Sequence, residues 1–228
     1  MGTGTLINLH AHTRFSDGRF SPERLVARAA EEGLTHLAIT DHFETLKVPS
    51  LPAERLDEYH SLLRGLGEKF DLEVLAGVEL DTCPARCDLG SLPFDRLNRL
   101  DLVLLEYVSD DLMCGLPLEQ LDPLLSRLRV PVALAHTDVE RVFHHLEPEE
   151  LAVELEKRDL AVEVNTAFPY QRGGRYFFEH AERYFRAFRG RVSISIGTDI
   201  HRTLSEVSNL DRAYRFVRRL GLEEDLLL

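Results

Sequence analysis

The sequence predicts an α/β fold in which seven parallel strands and their connecting helices form a closed or nearly closed (β/α)7 barrel. Three observations predict it. Apolar runs of strand length alternate seven times with amphipathic stretches, the pattern of parallel strands joined by right-handed crossovers. The runs are almost continuously apolar, as strands covered on both faces are. No linker, low-complexity segment or composition break divides the 228 residues, so one domain over 1–228 is expected. An open doubly wound sheet is the alternative arrangement of the same elements.

The elements follow in order. "TLINLHAHT" reads as the first strand and "SPERLVARAAEEGL" as its helix, with Ser21 as N-cap, Pro22 at the first helical position and Gly33 at the C-terminal cap. "HLAITDH" is the second strand, before the helical "PAERLDEYHSLLRGLGEKF". "LEVLAGVEL" is the third, followed by a cysteine-bearing loop and a short helix near "PFDRLNRL". "LDLVLLEYV" and helix "PLEQLDPLLSRL" make the fourth unit, and "VPVALAHT" with "EPEELAVELEKRD" the fifth. "LAVEVNT" with "YFFEHAERYFRAFRG" is the sixth, and "RVSISIGTDIH" with "LSEVSNLDRAYRFVRRLG" the seventh. The aromatics of the sixth helix recur at helical spacing and read as a core-facing stripe. The glycines of "RGGR" suggest a tight turn or a lid.

Composition narrows the function. Charged residues are 29% and hydrophobic ones 44%, and the net charge is −12. A general nucleic-acid binder would need a basic footprint, whereas a small anionic substrate is compatible with local cations. Three cysteines, Cys83, Cys87 and Cys114, are no disulfide framework, so a reducing cytoplasm is the expected location. Cys83 and Cys87 lack a second cysteine pair and read as loop thiols rather than half of a zinc site. No signal peptide or membrane span is read.

The polar residues fall at one end of the strands. His10 and His12 end the first, Asp41 and His42 the second, Glu79 the third, His136 the fifth, Asn165 the sixth, and Asp199 and His201 the seventh. In a β/α barrel these ends share the face that carries the chemistry. Alone, each histidine or acid has a structural explanation. Together, grouped carboxylates and buried imidazoles are costly unless something compensates them. A divalent cation does so, and this donor set suits Zn, Mn or Fe. His10 and His12 are two apart and point to one face, as do Asp199 and His201; in a closed barrel the two pairs would meet. Asn165 reads as a hydrogen-bond donor to substrate or ligand, or as a structural strand-end residue.

The motifs "HAHTRFSDG", "ITDH", "GVEL", "AHTD" and "GTDIH", in this order from His10 to His201, resemble the PHP family, named for polymerase and histidinol phosphatase domains. The resemblance implies a distorted, TIM-barrel-like (β/α)7 barrel with two or three divalent metals on its C-terminal face. By that resemblance His10, His12, Glu79 and Asp199 bind one metal, Glu79 bridges to a second held by His136, and Asp17, His42 and His201 bind a third. Relatives of this kind carry another histidine at the end of strand four, in "D-x-V-x-x-S-x-H". Here the segment is "LDLVLLEYVSDD", and Val108 or a near neighbour stands in that place. Glu106, Tyr107, Asp110 or Asp111 could take over the role; otherwise the second metal is weakly held or absent.

The expected activity is hydrolysis of a small phosphate monoester, with histidinol phosphate the first candidate. A hydroxide between two metals would be the nucleophile, with Asp199, His201 and Glu79 as the catalytic residues. Arg14, Arg172, Arg175 and Arg202 are candidate phosphate ligands, since guanidinium forks suit phosphate oxygens; Arg175 and Arg202 lead. A non-phosphate hydrolase and a non-catalytic metal-binding module are the alternatives. His36 is expected at the far end of strand two, His60 and His180 on helix surfaces, and His144 and His145 in a loop or early helix.

Overall fold

The computed structural model of the chain describes residues 5–227; residues 1–4 and 228, the ends of the expected domain, lie outside them. The strands are β1 (Ile7–Asn8), β2 (His36–His42), β3 (Glu73–Asp81), β4 (Leu102–Glu106), β5 (Val132–Leu134), β6 (Leu160–Asn165), β7 (Gln171–Arg172), β8 (Arg175–Tyr176) and β9 (Ile194–Gly197). Seven of them form one sheet in the order β1-β2-β3-β4-β5-β6-β9, every neighbouring pair parallel. The ends of the sheet then meet. Leu9 N donates to Ile196 O at 2.7 Å, His12 N to Ile200 O at 3.0 Å and Asp199 N to His10 O at 3.0 Å. The sheet is therefore a nearly closed, distorted (β/α)7 barrel, as the alternation of elements predicts, and not an open doubly wound sheet.

The helices are α1 (Pro22–Glu31), α2 (Leu56–Phe70), α3 (Phe94–Leu97), α4 (Asp122–Leu125), α5 (Val139–Val142), α6 (Pro148–Lys157), α7 (Phe177–His180), α8 (Glu182–Phe188) and α9 (Asp211–Leu220). Ser21 caps α1 by accepting from Arg24 N at 3.4 Å, Pro22 opens it, and Gly33 leaves it with φ +78° just beyond the cap residue Glu32. Tyr59 of α2 is fully buried and donates its hydroxyl to Ile39 O (2.8 Å), with Gly77 O at 3.0 Å. It ties the helix to β2 and β3 just below the residues that matter.

Two expected helices come out shorter or broken, and one strand pairs only briefly. The stretch 117–128 is a 3-10 turn (Leu118–Gln120) and then α4; Pro123 has no N–H to continue a helix from the turn before it. The stretch 176–190 divides at Ala181 into α7 and α8, whose Phe178, Tyr184, Phe185 and Phe188 are buried as the aromatic stripe predicts. Strand one pairs with β2 over two residues only, because from Leu9 onward its backbone shares its hydrogen bonds with the last strand. "RGGR" is the turn of the β7–β8 hairpin. Gly173 and Gly174 have φ +58° and +74°, the left-handed pair that a two-residue hairpin turn demands.

Candidate metal centre

The strand ends converge on the C-terminal rim of the barrel. His10, His12, Glu79 and Asp199 bring one ligand atom each within 4.8 Å of one another, as do His12, Asp17, His42 and His201, and His42, Glu79 and Glu106. In the first group His10 Nε2 and His12 Nε2 lie 3.0 Å apart. Asp199 Oδ1 is 3.2 and 3.0 Å from them, and the two Glu79 oxygens are 3.5 and 3.4 Å away. In the second, Asp17 Oδ1 is 3.1 Å from His201 Nε2 and 3.9 Å from His42 Nε2. His136 Nε2 meets Glu79 Oε1 at 3.0 Å, so every residue of the expected ligand set lies in one cluster.

The cluster fits cations by a direct measure. Glu79 Oε2, Asp199 Oδ1, Asp17 Oδ1, His42 Nδ1 and His12 Nδ1 are buried and make no hydrogen bond among the described residues. His42 Nδ1 and Glu79 Oε2 are 3.0 Å apart, yet they are not aligned as donor and acceptor. Buried polar atoms are almost always partnered, and these are imidazole nitrogens and carboxylate oxygens, the donors of Zn, Mn and Fe sites.

Side chains behind the cluster set its orientation. His10 Nδ1 donates to Glu163 Oε1 at 2.9 Å and His201 Nδ1 to Asp199 O at 2.8 Å. Both contacts fix a proton on Nδ1 and leave Nε2 as the nitrogen turned toward the cluster. Glu163 Oε2 also accepts from His136 N at 2.6 Å, so one buried carboxylate of β6 sets two histidines. Gly197 makes room for it, since a Cβ there would lie 2.0 Å from Glu163 Oε1 and 2.5 Å from His10 Cβ. Asp41 of "ITDH" is no part of the three groups. Its carboxylate accepts from Thr13 N (2.7 Å), Thr13 Oγ1 (2.7 Å) and Ser16 Oγ (2.6 Å), which folds the loop so that Asp17 returns to the site. His136 and Asp199 hold φ of +37° and +46°, strained backbone of the kind that gathers at functional sites.

Electrostatics separates His10 and His12 from His42. Burial pulls His10 down, but Glu163, Glu79 and Asp199 outweigh it and hold the imidazole well above its ordinary value. Burial is likewise overcome at His12, which Asp199 and Glu79 raise to about 10. Burial opposes ionisation of Glu79 and Asp199, yet the histidines around them hold both carboxyls low. His42 goes the other way: burial, with no sufficient counter-charge, lowers it to about 3.

Sequence reasoning missed three residues. Tyr170 donates to Asp199 Oδ2 at 2.6 Å and stacks on His136 with centroids 4.2 Å apart at 11°. Glu163 and Lys47 are the others. Lys47 Nζ sits 2.7 and 2.6 Å from the oxygens of Glu106 and 3.0 Å from the Tyr107 hydroxyl. Of the fourth-strand candidates, Glu106 is the one that reaches the cluster. Val108 packs in the hydrophobic core, and Asp110 caps the next turn through Leu112 N and pairs with Arg141. Asp111 is exposed at the start of that turn.

The four arginines are placed differently. Arg202 lines an open cleft of about 510 Å³ with Phe168, Tyr170, Asp199 and His201. Arg172 pairs with the buried Asp138 at 2.8 Å. Arg175 donates to Glu179 O at 2.6 Å and Arg14 to Arg19 O at 2.9 Å. Asn165 accepts from Ala167 N at 2.8 Å and caps the turn after β6. His36 opens β2 at its far end. His144 and His145 are exposed against one another, and His180 meets Arg172 O at 2.9 Å. Cys83 and Cys87 are buried free thiols, and Cys114 is exposed. Among the described residues no helix is long and apolar enough to cross a membrane.

A histidine–carboxylate cluster on the C-terminal rim of a β/α barrel has the donors and the placement of a metal centre. The PHP domain model matches residues 8–200, and the chain belongs to that family. Its fold is similar to that of histidinol phosphate phosphatase from Lactococcus lactis, solved with zinc, L-histidinol and phosphate. The TM-score is 0.63 and the identity 16%, over 95% of this chain and 94% of that one. In sequence it is 36% identical over 101 residues to the DNA polymerase/3′-5′ exonuclease PolX of Bacillus subtilis, 42% of this chain and 17% of that protein. It is 47% identical over 49 residues, 22% of this chain, to the 5′-3′ exoribonuclease Rnm of Salmonella typhimurium, again 17% of the relative's length.

Proposed function

We propose that the chain is a metal-dependent phosphoesterase acting on a small phosphate monoester. One observation carries the reading: two histidine–carboxylate groups share His12 on one barrel rim and aim unpartnered oxygens and nitrogens inward. Divalent ions bound there would supply Lewis acidity and an ionised water at neutral pH. The chain's own residues do the rest. His10, His12, Glu79 and Asp199 form one ligand set and Asp17, His42 and His201 another, with His136 on Glu79. Glu163 holds the ring of His10, and Tyr170 holds one oxygen of Asp199 so that the other faces the cluster. Asp199, His201 and Glu79 are the residues proposed for catalysis. Arg202, on the open cleft, is the guanidinium best placed for phosphate oxygens; Arg172, Arg175 and Arg14 would first have to leave their present partners.

Histidinol phosphate is the first substrate to try, given the ligands of the Lactococcus lactis protein. A second reading, a phosphate ester at the end of a nucleic acid, draws on the partial match to PolX, while the net charge of −12 weighs against broad nucleic-acid binding. The test is phosphate release by Mn-, Fe- and Zn-loaded protein from histidinol phosphate, sugar phosphates, nucleoside monophosphates and 5′- and 3′-phosphorylated oligonucleotides. Release from a small monoester and not from oligonucleotides is the expected result. Metal-loaded protein that releases phosphate from none of them would sink the phosphoesterase reading.

A further inference from the structure

Whether strand four contributes a metal ligand depends on what already sits against Glu106. This carboxylate ends β4, is fully buried, and shares a ligand-sized space with His42 and Glu79. A cation is there already. The Lys47 ammonium contacts both Glu106 oxygens and the Tyr107 hydroxyl, three partners for three N–H donors. Its loop is tied down at each step. Leu46 N donates to Arg86 O, Lys47 N to Thr45 Oγ1, Thr45 Oγ1 to Asp81 Oδ2, and Leu51 N to His42 O. Lys47 is thus delivered to Glu106 by a fixed turn.

We infer that the centre is built for two divalent ions, and that the Lys47 ammonium on Glu106 stands as a fixed cation in the place of a third. The inference rests on the reading of the cluster as a metal centre. The two ions belong to the His10/His12/Glu79/Asp199 and Asp17/His42/His201 sets. A third would need the Glu106 oxygens, both of them on Lys47, and would lie against an ammonium, like charge beside like. His136 is then the partner of Glu79 and not the ligand of an ion of its own. A cation that is part of the chain cannot be stripped by a chelator or exchanged, so the charge on the strand-four side of Glu79 is independent of metal supply.

The test counts ions. Protein is saturated with Mn²⁺ or Zn²⁺ and freed of loose metal. Metal per chain is then measured by inductively coupled plasma mass spectrometry and, on intact protein, by native mass spectrometry. Wild type is expected to hold two ions. Glu106→Gln, which keeps the shape, is expected to stay at two. Lys47→Met frees Glu106 and is expected to rise to three. The double variant Lys47→Met/Glu106→Gln is expected to return to two, and it leaves no unpaired buried carboxylate to prevent folding. Three ions in wild type, a loss of one in Glu106→Gln, or a folded Lys47→Met that stays at two would each overturn the inference. Wild type that holds no ion would instead overturn the metal centre itself.

Discussion

Glu163→Gln isolates the contribution of the carboxylate behind the cluster. Glu163 serves two donors with its two oxygens, His10 Nδ1 at 2.9 Å and His136 N at 2.6 Å. The substitution keeps the shape and turns one oxygen into an NH2 group. Whichever way the amide faces, one protein N–H then meets an amide donor instead of an acceptor. Losing one hydrogen bond to a charged group costs about 1.5–3 kcal/mol. Outer-shell substitutions in metal sites weaken affinity by about 10–100-fold, or about 1.4–2.7 kcal/mol, so the two routes agree. In the metal-free protein the substitution also takes the counter-charge from the buried His10, so its melting temperature is expected to fall as well. The assay is competition for Mn²⁺ or Zn²⁺ against a chromophoric chelator. Glu156→Gln, whose carboxylate pairs with Arg191 on the surface, serves as control. An affinity within about twofold of wild type, where about tenfold or more is expected, would refute the claim that Glu163 orients the site.

Three further outcomes are expected. Gly197→Ala drives a methyl into Glu163 and the Cβ of His10; overpacking costs about 1–3 kcal/mol, read as a drop of roughly 2–4 °C per kcal/mol in a melt of the metal-free protein. Tyr170→Phe keeps the stack on His136 and loses the bond to Asp199, so kcat on a cleaved ester is expected to fall about tenfold or more, and an unchanged kcat would remove Tyr170 from the site's working parts. Because His10 and His12 are raised, to about 10 at His12, they carry protons at pH 7 in the metal-free protein and must shed them on coordination, whereas His42, lowered to about 3, does not. Metal uptake should therefore release protons and weaken as pH falls, which calorimetry in buffers of different ionisation heat measures; heats that do not depend on the buffer would contradict it.

The barrel was legible because its signal is local: strand-length apolar runs, helical stretches between them, and polar residues confined to strand ends. The clustering of His10, His12, Asp17, His42, Glu79, His136, Asp199 and His201 was legible for the same reason. What lay beyond reach depended on the path of the backbone after each strand. Asp41 and His42 are adjacent and both polar; only the loop from Thr13 to Asp17 shows that one anchors backbone and the other faces the cluster. At the fourth strand the count from motif to motif leads to Val108. The chain turns left-handed at Tyr107, φ +67°, so Val108 enters the core while Glu106, two residues earlier, faces the site. Lys47 and Tyr170 reach the cluster from loops, where no periodicity announces a side chain's direction. Glu163 sits inside an apolar strand, "LAVEVN", and its acidity at a buried position is the one signal that could have found it.

The seam between the first and last strands joins residues about 190 apart in sequence, as Asn8 Nδ2 does to Thr198 Oγ1 at 2.8 Å. The two strands that close the barrel also supply His10, His12, Asp199 and His201. Contacts of such separation carry the largest loop-closure entropy and tend to form late in folding. An ion bound there as proposed would act as a clasp on the first and last strands. It would bind only once they have met, and it would stabilise the closed chain by mass action in proportion to the logarithm of its concentration over its dissociation constant.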